Sequence, residues 1–539
     1  MRRPGADLAL LGAVVGVVAA FALVPAAELF ARAIASSGGL SAFAAAGTTV
    51  ATRRAFDNSL LQGGVSAALA VGVGYPAGVF LGRYQWPGRG FVRSAMLLPF
   101  LLPSLVMVLG TLDLLGPQGL VGGSVPGLRW FARGIPGIVA VNLFYNVPIV
   151  VILTATGCEA SSSSVEETVA TLGGSPARAY LESWAWPSWV GATCGGLLTF
   201  VFSALSFAPP ILLCGSRCDT VEVRVYRLAE ITGQPYTAGV LALLLVAAFL
   251  APAVAYLLLT RRLRPAPGSS YRPRPPSWRA WGTWALAAEF AAVVGAEAAL
   301  VLAVLVRSVV PPGGGRWAHG WQLLFSPATS AHLGTSVSNA TANTLFFATL
   351  AAAVGIVLAS TSAFLTARRA GWATPLALVL FVPVLLSPVV LAEALASFWR
   401  PVLGGSADVW VLIVLSQALL GVPFALQALE IPLAGLGRQG TEVAATLGAT
   451  PWGAFVDAEL PRVRRGIQSA VLFAFALGMG EFTATNFLVT PKTTTLPVAV
   501  YALQNARLLP AASAAAGLLL LVSLALFGLI VVSEVDDRR

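Results

Sequence analysis

The sequence predicts an all-α polytopic membrane protein, with about 12 transmembrane helices arranged as two parallel six-helix repeats. Three observations carry that expectation. Of 539 residues, 57% are hydrophobic and 10% charged, whereas about a quarter of residues are charged in soluble domains. Apolar runs of about 20 residues, each able to cross roughly 30 Å of hydrocarbon as a helix, recur along the whole chain. Blocks of the first half also return in the second at nearly constant offsets.

Hydropathy places the first six spans near 8–27, 59–82, 91–115, 135–157, 190–214 and 237–259. The second six fall near 284–310, 343–366, 373–398, 409–430, 465–490 and 510–532. Met-Arg-Arg before an apolar stretch imitates a signal peptide, but with eleven further spans behind it an uncleaved first helix is the better reading. Arg83, Arg89, Arg261, Arg262, Arg264, Arg368, Arg369, Arg462, Arg464 and Arg465 then fall on one side. By the positive-inside bias both termini are cytoplasmic, in a plasma or inner membrane. The segment Arg261 to Trp281 is rich in Pro and Arg without apolar periodicity, and reads as a linker. The expected organisation is a first half over 1–260, a cytoplasmic linker over 261–283 and a second half over 284–539.

Composition also excludes whole classes of function. The formal charge of +10 sits in short loops rather than in a free basic domain, so nucleic acid is not an expected partner. One of 33 basic residues is a lysine, Lys492, and it follows Pro491. A phosphate-binding P-loop needs a Gly-Lys pair, so any ATPase driving this protein is another polypeptide. His319 and His332 share one loop away from Cys158, Cys194, Cys214 and Cys218, leaving no zinc-ligand set. Cys214 and Cys218 can pair in an oxidising compartment, or serve as small apolar residues at a helix end. No acid-base or nucleophilic constellation is present, so no catalytic residues are expected.

The repeat is explicit. ATLGGSP at Ala170–Pro176 matches ATLGATP at Ala445–Pro451, an offset of 275 that also relates Val147-Pro148 to Val422-Pro423 and Thr220–Leu228 to Thr495–Leu503. Nearer the start of each half the offset is 285, relating Asn58-Ser-Leu to Asn343-Thr-Leu and Pro103 to Pro388. An even number of spans per half gives parallel copies about an axis along the membrane normal, with a pathway between them.

The repeated heptad lies in the inner loops between the fourth and fifth spans of each half, 158–189 and 431–464. Ser164 to Glu167 has the form of a capping box, with Val165, Val169 and Leu172 on one face. Gly173 suits a left-handed helix end, Ser175 can cap the next helix and Pro176 fits its first turn. Gly448, Thr450 and Pro451 repeat that punctuation. Beyond the turn, Tyr180, Leu181 and Trp184, and in the second copy Trp452, Phe455 and Val456, form apolar faces in polar loops. Such faces call for a two-fold partner; a single copy could instead lie on its own bundle or the lipid interface.

The run EVAATLGATPWGAFVDAELP, Glu442 to Pro461, resembles the EAA loop of membrane subunits of ATP-binding-cassette importers, with Glu442, Ala444, Gly448, Leu460 and Pro461 in place. The first copy, Glu167 to Pro187, departs from the pattern at Thr168, Val169 and Trp186 and carries one inserted residue. The whole chain is similar to fused permeases of the thiamine and iron(III) importers. That resemblance implies coupling through Glu167, Gly173, Pro176, Tyr180, Glu442, Ala444, Gly448, Pro451, Phe455 and Pro461 to two cytoplasmic ATPase subunits, which would carry the ATP and Mg. It also implies an extracytoplasmic substrate-binding protein. Gly480 to Leu503 looks more like the thiamine type, with iron(III) or another small solute as the alternative.

Spans five and eleven follow these loops directly and carry the residues expected along the path: Ser206 and Phe207 in one, Glu481, Phe482, Thr483 and Asn486 in the other. Glu393 in span nine joins them, because a carboxylate at membrane depth is costly and functional by default. For Glu481 and Glu393 the competing reading is a hydrogen bond or ion pair within the bundle. A secondary carrier of the major facilitator kind also has six plus six spans, but it does not predict the duplicated loop.

Overall fold

The computed structural model describes residues 4–36, 47–96, 98–161, 163–215, 218–260, 271–311, 316–368, 370–403, 409–434, 448 and 460–536. Helices dominate, and among the described residues the only bridge pairing is Tyr84 with Arg274. The chain opens with α1 (Pro4–Val18) and α2 (Val24–Ser36), joined by one π turn, Ala19–Leu23. Then come α3 (Val50–Arg83), α4 (Arg89–Ala95), α5 (Leu98–Leu101), α6 (Ser104–Leu115), α7 (Gly134–Glu159), α8 (Ser163–Thr171), α9 (Pro176–Ala179), α10 (Ala185–Ala204), α11 (Ala208–Leu213), α12 (Val221–Tyr226) and α13 (Pro235–Thr260). Past the linker follow α14 (Trp281–Val309), α15 (His319–Leu324), α16 (Pro327–Leu333), α17 (Val337–Arg368), α18 (Ala370–Leu385), α19 (Pro388–Leu403), α20 (Val409–Ala434), α21 (Leu460–Gly480), α22 (Thr483–Leu488), α23 (Leu496–Asn505) and α24 (Leu509–Asp536).

Among the described residues eight helices are long and apolar enough to cross a membrane, and a ninth span results if the pair Pro375–Leu385 and Pro388–Leu403, bent by 87°, is taken as one. The expected twelve is therefore not reached by uninterrupted helices. The segments that fall short are expected spans three, five, nine and eleven, which are repeat-related in pairs. Each is cut: α5 from α6 at Leu102-Pro103, α10 from α11 at 205–207, α18 from α19 at Leu386-Ser387, and α21 from α22 at Glu481-Phe482. Proline supplies the cut in the first and third, since Pro103 precedes α6 and Pro388 starts α19, and proline cannot continue the hydrogen-bond ladder behind it.

The duplication is structural. α7 and α20 begin and end 275 residues apart, and α11 and α22 do the same. Asn58 Nδ2 donates to the Asp219 carbonyl at 3.0 Å, and Asn343 Nδ2 to the Thr494 carbonyl at 3.0 Å. The Ser59 hydroxyl accepts the Val221 N–H at 3.0 Å, as Thr344 accepts that of Leu496 at 2.7 Å. So the matched Asn-Ser and Asn-Thr pairs each tie down a short helix, α12 or α23, that folds back from the segment expected as an outer loop. Side chains do there what the backbone of an isolated turn cannot, satisfying donors away from water.

Small residues let the helices of the first half approach closely. Gly74, Gly78 and Gly82 run along α3 against α7, and a Cβ at Gly78 would stand 2.6 Å from the Thr154 Cβ. Between apolar helices in lipid, contact of this kind replaces the missing hydrophobic drive. Polar clamps add to it: Asn142 Nδ2 donates to Gln62 Oε1 at 2.7 Å, Gln62 donates to the Ser203 carbonyl, and all three residues are buried.

Candidate coupling loops and translocation path

The first inner loop has the expected helix, turn and helix. Gly173 adopts φ +76° after α8, the Gly174 N–H bonds the Val169 carbonyl at 2.9 Å, and the Gly173 N–H bonds that of Ala170 at 3.1 Å. This six-to-one closure needs a residue in the left-handed region, where glycine carries no Cβ penalty. The Ser175 hydroxyl accepts the Arg178 N–H at 3.3 Å and so caps α9, which starts at Pro176. In the second copy Gly448 has φ +80°. Glu442, Ala444, Pro451 and Phe455 lie outside the described residues, and Pro461 falls in the first turn of α21.

Three details differ from the expectation. α8 starts at Ser163, so Ser164 lies inside its first turn rather than ahead of it. Glu166 points inward, while Glu167 is exposed. The apolar face is also distributed differently. Val169 is buried, and Tyr180 turns toward the bundle, where its hydroxyl meets Tyr75 Oη at 2.9 Å and accepts Trp189 Nε1 at 3.0 Å. Trp184 packs edge-on against Tyr180 with the Arg83 guanidinium 4.0 Å above its ring, a cation–π contact of about 1 kcal/mol. The side chains left facing outward are Leu172, 82% exposed, Leu181, 68%, and Val165, 41%.

The linker takes part in this loop. Arg274 pairs its backbone with α3, its N–H bonding the Arg83 carbonyl at 2.9 Å and its carbonyl accepting the Gln85 N–H at 2.8 Å. Tyr271 Oη donates to the Gly82 carbonyl at 2.6 Å, and the Arg272 N–H to Ser163 Oγ at 2.9 Å. Burial pushes the Tyr271 phenol above its usual range, which keeps it a donor. Glu166 accepts from Arg83 at 2.7 Å and from Arg274 at 3.1 Å, so one carboxylate joins α3, α8 and the linker. Beside it Glu159 holds Arg89, at 2.6 Å, and Arg93.

The broken helices converge at the opposite functional feature, the axis between the halves. Phe207 and Phe482 occupy equivalent breaks with nearly identical backbones, φ −110°, ψ −48° and φ −109°, ψ −42°. Their rings face each other at 5.9 Å between centroids. Each is backed by the tyrosine of the following short helix, Phe207 by Tyr226 at 5.2 Å and Phe482 by Tyr501 at 5.1 Å. A Cβ on Gly480 would lie 3.2 Å from Pro103 Cα, so the break of one half sits against the break of the other. Irregular backbone at membrane depth survives only where protein or a water-filled cavity satisfies it.

The path residues fare differently. Glu481 accepts the N–H groups of Ala484, 2.7 Å, and Thr485, 2.8 Å, and the Thr485 hydroxyl at 2.6 Å. It closes the start of α22, the competing reading for this carboxylate. Ser206, its counterpart, has a buried hydroxyl without a partner among the described residues. Thr483 opens α22, Asn486 lies within reach of the Tyr226 hydroxyl, and Glu393 is buried on α19.

No protein-family model matches the chain. Over 463 residues it is 26% identical to the thiamine transport system permease protein ThiP of Escherichia coli (strain K12), covering 82% of each chain. ThiP of Brucella abortus (strain 2308) is 26% identical over 433 residues, 77% of this chain and 75% of that one. The molybdenum transport system permease protein ModB of Mycobacterium tuberculosis (strain H37Rv) is 32% identical over 223 residues, 39% of this chain and 81% of its own length. The chain belongs to the permeases of ATP-binding-cassette importers. It is a permease of the fused two-half type, and the secondary-carrier alternative falls away.

Two carboxylates of this permease escaped the sequence reading. Glu222 and Glu230 lie in the segment taken as an outer loop, yet α12 is inside the protein and Glu222 is fully buried. The signal was the repeat itself, since TVEVRVYRL and TLPVAVYAL conserve alternating apolar residues that a solvated loop does not need. The same region holds a disulfide, Cys214–Cys218, which settles the two readings left open for those cysteines.

Proposed function

We propose that this permease carries thiamine inward, driven by two separate cytoplasmic ATPase subunits that hold the ATP and Mg. A substrate-binding protein delivers the solute on the extracytoplasmic side. The observation that carries this reading is the pair of glycine-turned loops at one offset, Gly173 at φ +76° and Gly448 at φ +80°, in a chain whose thiamine-permease relatives match it over 82% of its length. Val165, Leu172 and Leu181 form the docking face of the first loop, 158–189; the second loop, 431–464, supplies the other. Closure of the ATPases on ATP draws the loops together, and α10 and α21, which follow them, move the Phe207 and Phe482 breaks apart. The membrane is the plasma or inner membrane, with both termini and the linker in the cytoplasm.

The test is to purify the tagged chain in mild detergent and ask whether an ATP-hydrolysing polypeptide accompanies it, then to repeat with Gly173→Val and Gly448→Val together. Copurification lost in the altered chain supports the docking assignment. ATP-driven uptake of labelled thiamine into proteoliposomes, with the cognate binding protein, supports the substrate; uptake of iron(III) instead would replace it.

A further inference from the structure

The 271–284 segment carries side chains that neither the bundle nor the coupling scheme uses. Trp278, Trp281 and Trp284 are 47%, 82% and 55% exposed. They are nonetheless ordered: the Trp278 and Trp284 rings lie 4.8 Å apart, and Trp284 Nε1 donates to the Trp278 carbonyl at 2.8 Å. Trp281 begins α14, a helix long and apolar enough to cross the membrane. Further along that helix Phe290 packs on Phe80 and Trp86 of the first half, while Trp281, Trp284, Ala285 and Ala288 stay exposed on one face turned away from it. Indoles at the end of a span, on its lipid side, sit in the headgroup layer.

Charge at this end of the bundle is one-sided. The end of α3, α4, the end of α7, α8 and the 271–284 segment together carry Arg83, Arg89, Arg93, Arg272, Arg274 and Arg279 against Glu159, Glu166 and Glu167. Two of those carboxylates already serve two arginines each, Glu166 with Arg83 and Arg274, and Glu159 with Arg89 and Arg93. Arg272 and Arg279 are exposed, and among the described residues neither has an ion-pair partner. α14 also begins without a side-chain cap, so its first N–H groups add to the positive field. The surplus charge flanks the indoles, and the surface therefore matches an anion that is itself anchored in hydrocarbon.

We infer that 271–284 is a docking surface for anionic phospholipid, with the three indoles in the headgroup layer and Arg272 and Arg279 on the phosphates, and that lipid held there steadies the first coupling loop. Basic clusters beside a span concentrate acidic lipids, and a guanidinium meets phosphate through paired hydrogen bonds. The same stretch of chain reaches the loop: the Arg272 N–H bonds Ser163 Oγ and the Arg274 guanidinium bonds Glu166, both on α8. Lipid and loop are thus a few residues of chain apart. Nothing in this depends on which solute the permease carries.

The experiment uses Ser277→Cys, an exposed position beside Trp278, labelled with bimane in the full chain in nanodiscs. The wild-type free cysteines, Cys158 and Cys194, are buried, and the wild-type chain supplies the background. The nanodiscs hold phosphatidylcholine and phosphatidylglycerol, with bromines either on the phosphatidylglycerol chains or on an equal amount of the phosphatidylcholine. Quenching should be about twofold stronger or more with brominated phosphatidylglycerol. Arg272→Gln together with Arg279→Gln should bring the two lipids to parity, as should salt at about 1 M. Amide exchange in Ser163–Thr171 should be several-fold slower with phosphatidylglycerol present than in phosphatidylcholine alone, and the double variant should lose that difference. Equal quenching by both lipids in the otherwise wild-type chain overturns the docking surface and leaves the arginines to an acidic protein. A preference kept by the double variant, or no quenching by either lipid, overturns it as well. Exchange in Ser163–Thr171 indifferent to lipid charge overturns the hold on the loop.

Discussion

At the scale of single residues, turn chemistry was the most legible. Gly173, Ser175 and Pro176 announce a left-handed end, a cap and a first helical position, and the backbone uses all three. Among the described residues a Cβ at Gly173 or Gly448 would meet nothing within 4 Å, while the positive φ of both strains any side chain placed there. Gly448→Val should therefore cost roughly 1–2 kcal/mol at the turn and raise the ATP consumed per solute moved in proteoliposomes, with Gly448→Asn milder. An unchanged ratio in the valine variant would remove the turn from coupling. Glu481 was harder to read, because a carboxylate at membrane depth looks the same in sequence whether it faces a path or caps a helix. Since it accepts three hydrogen bonds at the start of α22, Glu481→Gln should lower the thermal midpoint of the purified protein by an amount equivalent to about 1–2 kcal/mol.

At the scale of elements, hydropathy located every helix that crosses without interruption but could not show the four cuts. Apolar content is the same on either side of Pro103 or Ser387, and only the matched proline hinted at a break. The segment 215–236 was misread for the opposite reason: its charged residues suggested solvent, while its buried valines and the Asn58 and Ser59 clamps draw it inside. The segment expected as a linker was not legible as a brace. Tyr271 holds α3 through a part-buried hydrogen bond, and Arg274 adds its backbone pairing to α3 and an exposed ion pair to Glu166 on α8, so the brace rests on several contacts together rather than on the ion pair. Arg274→Ala with Tyr271→Phe should quicken amide hydrogen exchange in Ser163–Thr171 several-fold while exchange in α7 stays as it was. Uniform exchange across both helices, or no change in either, would show that the linker bears no load there.

At the scale of the molecule, the repeat offsets found in sequence return as helix boundaries, paired hydrogen bonds and ring stacks. What they could not show is which features break the symmetry. The Cys214–Cys218 bridge has Val489 and Thr493 as its counterparts, and there the turn is closed by hydroxyls instead, Thr490 bonding Thr493 at 3.0 Å. A disulfide persists in an oxidising compartment. After mild reduction, a membrane-impermeant maleimide added to intact cells should label these two thiols. Labelling only after permeabilisation would invert the orientation proposed for the chain.

The Cys214–Cys218 bridge and the buried Glu222, each present in one half only, have an evolutionary reading. Were the two halves separate copies of a single polypeptide, both features would arrive twice, and neither copy could be altered without altering the other. Joining the halves through one linker frees each side to drift independently. One flank can then specialise in handling the solute while the other keeps the scaffold, a division of labour that a homodimer cannot reach by mutation alone.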